Sequence, residues 1–269
     1  MKRLLLLIFT FTLSLSCTFT LVHAQDFDFP KALSDYLYNY NIYRNDYLKF
    51  TSARNEYVNY KTLTSENKAF EVTKSMLENR SVTMRTYLTT LRMKLYEETA
   101  ILNYNQNFYY IKLDDEVTFL DKNKNDYASA GNIDDLLTTS KILEDRFPAQ
   151  EKLTFQTLGQ IDSGVETGTK NKINNIISLL ETKVGQIKTT GEDTTIEERW
   201  ILQAKEKIKR AEEKDREAYT LLIQIEDKDD DKLDQWNKIQ KVYEEEHLYY
   251  KEAVSFLKEI VMEIKSAKS

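Results

Sequence analysis

Six glycines and two prolines in 269 residues leave this chain few positions suited to a tight turn. All-β and α/β folds reverse direction often and draw heavily on both residue types. A chain so short of them must run in long elements, and its apolar spacing says that these are helices. After Asp28, a candidate cap, and Pro30, suited to a first turn, a 3-4 stripe runs unbroken. It comprises Leu33, Tyr36, Tyr40, Tyr43, Tyr47, Phe50, Arg54, Tyr57 and Lys61, a coiled-coil-like seam built of tyrosine. Thr62 to Ser65 supply capping hydroxyls for the next turn.

A second helix carries Leu77, Met84, Leu88, Leu91, Leu95 and Leu102. Its phase slips near Asn103 to Asn107, which predicts a kink or a stutter in one long helix. The polar stretch 123–132 reads as a break. A short helix should stop before Pro148, and Gly159, Gly164 and Gly168 mark a loop or disturbed helix. A further helix holds Ile173, Ile177 and Val184. Thr195 with Glu198 has the spacing of a capping box. The final seam runs Leu233, Trp236, Gln240, Tyr243, His247, Tyr250, Val254, Leu257, Val261, Ile264. The expectation is an all-α, elongated antiparallel bundle or coiled-coil-like assembly. It divides into an N-terminal long-helix hairpin (25–126), middle helices with a glycine-containing break (127–192) and a C-terminal hairpin (193–269).

The first 24 residues read as a secretory signal peptide. Lys2 and Arg3 precede an apolar run over 4–22, and Val22-His23-Ala24 offers a cleavage site after Ala24. Retention as a membrane anchor is the competing reading, since the run approaches the length of a spanning helix. Lipidation at Cys17 is a third, though Ser14 stands where a lipobox wants Leu. Cleavage would remove the only cysteine, and with it any disulfide or thiolate chemistry. It would also remove two of 38 basic residues and none of the 44 acidic ones, taking the net charge from −6 to −8. That balance argues against nucleic acid as a partner and against strong membrane binding by the mature chain.

Candidate chemistry is sparse. No phosphate-binding loop, nucleophile-elbow or HExxH pattern occurs. Asp227, Asp229 and Asp231 have the spacing of the first EF-hand ligands, but Lys232 and Lys238 stand at the glycine and closing-carboxylate positions. His247 is the one histidine after residue 24, too little for a zinc site, and reads as a packing residue. The Gly164-Gly168 pair lies in a polar context unlike a membrane dimer motif, and the Asn79 sequon falls inside a helix. No metal or cofactor is expected.

The candidate interaction surface is Tyr36, Tyr38, Tyr40, Tyr43, Tyr47 and Tyr57. The register places all but Tyr38 on the seam, so packing accounts for most of them and Tyr38 should face solvent. The functional expectation is an exported, non-catalytic structural or interaction protein of the cell envelope or extracellular space. It would self-associate or pair with another helical protein. The alternative is a ligand-binding module with a groove lined by tyrosine and by Trp200 and Trp236.

Overall fold

A computed structural model describes residues 28–226 and 231–266. The expected signal segment and Asp227 and Asp229 of the acidic cluster lie outside them. The described residues form an all-α fold of six helices without strands. They are α1 (Phe29–Tyr60), α2 (Leu63–Glu97), α3 (Asn103–Ser129), α4 (Ile133–Thr189), α5 (Thr195–Gln224) and α6 (Lys232–Ser266). The 57 residues of α4 make a spine of about 85 Å at ~1.5 Å per residue.

Helices α1, α2 and α3 run alternately up and down. Thr90 reaches the Ala32 carbonyl and Thr83 that of Asn39, while Ser81 meets Asn123. Helix α3 returns along the first half of α4, where Arg146 forks onto Glu116. Helices α5 and α6 pack on α4 from about Glu151 onward. Lys205 pairs with Glu181, and Lys214 with Glu245, so α5 runs against both neighbours. Helix α6 runs parallel to α4, with Lys232 by Glu151 and His247 by Glu166. Two groups of helices thus share one spine. Leu88, Leu91, Leu113, Leu120, Leu143 and Leu153 fill the first. Ile173, Ile177, Ile201, Ile208, Leu257 and Ile260 fill the far end of the second.

Local chemistry sets the ends. Asp28 caps α1 by accepting from the Lys31 N–H at 3.0 Å, and Pro30 sits in its first turn. Lys61 then takes a left-handed conformation, φ 49°, which a non-glycine residue pays ~1–2 kcal/mol to hold. Thr62 caps α2 at once, its hydroxyl accepting from the Ser65 N–H at 3.1 Å while Ser65 Oγ takes the Thr62 N–H.

Five expectations need correction. The phase slip near Asn103 to Asn107 is neither kink nor stutter: the chain reverses over 98–102, and the Gln106 amide adds hydrogen bonds to the Leu95 and Glu98 carbonyls, which also accept the Glu98 and Ile101 N–H groups of the turn. Most of the polar stretch 123–132 is helical, because Asn123 and Tyr127 are core residues. Ser81 donates to Asn123 at 2.8 Å and Arg80 to the Tyr127 hydroxyl at 2.9 Å. Pro148 lies inside α4 rather than after a helix. Buried Leu143 and Leu153 on either side of it hold the helix together against the loss of one backbone hydrogen bond. Gly159, Gly164 and Gly168 also lie within α4. A Cβ on Gly159 would come within 2.5 Å of Leu222, and one on Gly164 within 2.6 Å of Ile101, so these two glycines admit a neighbour rather than break the helix. Finally, α5 begins without the Thr195–Glu198 box. Asp193 accepts the Thr195 N–H at 3.0 Å, and Thr194 bonds Glu198.

Candidate functional site

All six candidate tyrosines lie on α1, whose backbone, among the described residues, runs beside α2 alone. The buried line of α1 is not the tyrosine stripe. Ala32, Asp46 and Ala53 are its buried residues, spaced by multiples of seven, and their small or short side chains let α2 approach. The interface they make is polar. Asp46 accepts from Asn79 at 2.6 Å, Ser75 at 3.2 Å and Lys49 at 2.7 Å. Burial alone would raise the Asp46 pKa, but these hydrogen bonds outweigh it and hold the carboxyl below its ordinary value. Asn79, the sequon residue, is therefore committed to this contact.

The tyrosines flank that line. Tyr36 and Tyr43 are half-buried, Tyr36 against Tyr87 with ring centres 5.2 Å apart and Tyr43 against the Met76–Tyr127 cluster. Tyr40 and Tyr47 stand at the edge, 39 % and 49 % exposed, each about 6 Å from a neighbouring aromatic ring of α1. Tyr57 is at the same edge, and Tyr38 faces outward at 68 % exposure, with Leu37 and Leu48 also exposed along the helix. The result is a ladder of rings with one wet side, not a closed seam.

A second constellation sits where the two helix groups meet, around residues 159–166 of α4. Asp162 and Glu166 come from α4, Asp215 from α5, and Tyr243, Glu246, His247 and Tyr250 from α6. Gln240 donates to Asp162 at 2.7 Å, Ser163 to Asp215 at 3.0 Å and the Tyr243 hydroxyl to the Gly159 carbonyl at 3.0 Å. His247 Nδ1 lies 3.3 Å from Glu166, so this histidine has a carboxylate partner that its place on the seam did not reveal. Glu246 is 1 % exposed. Burial, aided by Asp215 and Glu166, pushes its carboxyl up to about 8. Burial likewise raises Asp162 and Glu166, and it raises the Tyr243 and Tyr250 phenols. Among the described residues no group of three His, Cys, Asp or Glu side chains is arranged to hold a metal ion. The cluster is built to retain protons.

The sequence reading missed this site because its members are scattered over three helices and Glu246 looks like one more helix-surface acid. Their one visible signal was that His247 falls on the same seam as Tyr243 and Tyr250. Beside the cluster, a groove of about 280 Å³ is lined by Tyr104, Phe108, Tyr109, Gln156, Gln160 and Tyr219. Neither tryptophan lines it: Trp236 stacks on Phe155 at 5.6 Å, and Trp200 packs against the distal core.

No protein-family model, curated protein or solved structure matches the chain. No helix among the described residues is long and apolar enough to cross a membrane.

Proposed function

We propose that the chain is an exported, non-catalytic helical interaction protein of the cell envelope or extracellular space, with α1 as its partner-facing element. One observation carries this. Helix α1 is held on one side only, and it turns Leu37, Tyr38, Tyr47 and Leu48 to solvent. Tyrosine suits such a face, since its ring buries apolar area while its hydroxyl tolerates water. The partner is a second copy or another long amphipathic helix. The export part of the proposal rests on residues 2–24 alone. Sedimentation across a hundredfold range of concentration, with envelope cross-linking, tests it. The chain should associate, and Tyr38→Glu with Leu48→Glu should abolish association while leaving the melting temperature within about 2 °C, as expected of exposed sites. A strict monomer with no cross-linked partner overturns it.

The groove of Tyr104, Phe108, Tyr109 and Tyr219 supports a second reading, a ligand-binding module. Grooves between packed helix groups, aromatic with a few amides, are common small-molecule sites. Trp236, packed with the core that contains Tyr243 and Leu222, is the reporter. A flat fluorescence response to glycan, peptide and lipid libraries removes this reading.

A further inference from the structure

The acidic cluster at the middle of the spine is not explained by packing or by either functional reading. Glu246 is almost wholly buried, and its Oε2 has no hydrogen-bond partner. The Tyr250 hydroxyl donates to the same carboxyl. The groups that face it come from every helix packed there. Helix α4 brings Asp162, Glu166 and Lys170, and α5 brings Asp215. Helix α6 itself adds Tyr243, His247 and Tyr250. The lysines there are already engaged, Lys170 with Glu212 and nearby Lys214 with Glu217 and Glu245, and the His247 ring lies against Glu166. Ionised Glu246 would be a buried charge among carboxylates with no cation of its own, an arrangement that burial strongly disfavours. Protonated, it is a neutral acid that can donate a hydrogen bond.

We propose that Asp162, Glu166, Asp215 and Glu246 form a proton-operated latch that holds α6 against α4 and α5 while Glu246 is protonated and releases it when Glu246 ionises. The sign follows from linkage. The folded-state pKa of Glu246, about 8, lies above the ordinary glutamate value. The stability it contributes is complete below that ordinary value and is lost as pH rises through about 8. The raised values of Asp162 and Glu166 act in the same direction. Local opening is favoured over global unfolding because the first helix group shares only α4 with α6.

The test is thermal unfolding of the full chain between pH 5 and 8.5, with Glu246→Gln as the uncharged isostere and His247→Gln as a control. The wild type and the histidine variant should lose roughly 5 °C or more across this range, a size set by the linkage and a domain of this length. The Glu246→Gln variant should lose less than half as much. Hydrogen exchange, corrected for its intrinsic pH dependence, should quicken at pH 8.5 over 239–260 and stay unchanged in α2 and α3. Carbon NMR of side-chain-labelled glutamate in the wild type should show one carboxyl titrating above pH 7, whether or not the variant folds. No such carboxyl, equal pH slopes in wild type and Glu246→Gln, or uniform acceleration along the chain would each overturn the latch.

Discussion

Replacing two glycines of the same helix by alanine should give opposite results. Gly159 and Gly185 both lie within α4, so alanine gains the same helix propensity at each, about 1 kcal/mol. At Gly185 a Cβ meets nothing within 4 Å. The gain should appear whole, as a rise of about 2–4 °C in melting temperature for a chain of this size. At Gly159 the new methyl would lie 2.5, 2.9 and 3.3 Å from Cδ2, Cδ1 and Cγ of Leu222, whereas carbon atoms rest at ~3.5–4.0 Å. Leu222 must retreat by about 1 Å to restore contact distance. It is buried among Phe155, Ala218, Ile225, Ile239, Val242 and Tyr243, and its one open side is the groove that it lines together with Gly159. Overpacking of this kind costs about 1–3 kcal/mol. Gly159→Ala should therefore fall below Gly185→Ala by about 1–3 kcal/mol, with a net effect between neutral and destabilising by about 2 kcal/mol. Urea unfolding of both variants, of Leu222→Ala and of the double variant isolates the contact. The leucine truncation alone costs about 2–5 kcal/mol, and in the Gly159→Ala background it should cost about 1–3 kcal/mol less, because the clash is relieved. Equal stabilisation at both glycines, with additive effects in the cycle, would falsify the close passage of α5 over the middle of α4.

Two further outcomes follow from the same structure. Pro148 interrupts the hydrogen bonding of α4 where its side chain is only half-buried, so Pro148→Ala should stabilise, by up to about 3 kcal/mol; a loss of stability in denaturant titration would mean that α4 is not continuous there. The Asp46 carboxyl is held below its ordinary pKa, so its contribution is present above that value and fades as pH falls through the folded one. Asp46→Asn should melt below the wild type at pH 7, and the gap should narrow between about pH 4 and pH 2. A gap that stays constant with pH would refute the charge-based account.

How much of this could be read from the sequence depends on which physical signal each element carries. The starts of α1 and α2 were legible because Asp28 and Thr62 act through local hydrogen bonds, whose partners lie three residues away, and because the fixed φ of Pro30 suits a first turn. Leu88, Leu91, Leu143, Leu257 and their neighbours were legible because apolar spacing alone places them inward. Three features depend instead on distant partners. Asn123 and Tyr127 read as loop until Ser81 and Arg80, 42 and 47 residues away, satisfy them. Gly159 and Gly164 read as breakers until Leu222 and Ile101 fill the space they leave. On α1, tyrosines drew attention to the flank of the interface, while its centre was marked by Ala32, Asp46 and Ala53, residues whose value lies in being small or in meeting Asn79 and Ser75. The acidic cluster is the extreme case. Each member is an ordinary helix-surface residue by type and spacing, and the raised proton affinity of Glu246 arises from burial beside Asp215 and Glu166 on other helices. The same logic links the two sites. A polar contact line leaves the rings of α1 at the edge, free to meet a partner. A polar contact in the middle of the spine makes α6 the helix whose docking depends on a proton. In both places the polar groups sit beside apolar packing, Tyr43 and Phe50 on α1 and Ile239, Val242, Leu257 and Ile260 on α6, so it is the polar part of each contact that a change of solvent conditions reaches first.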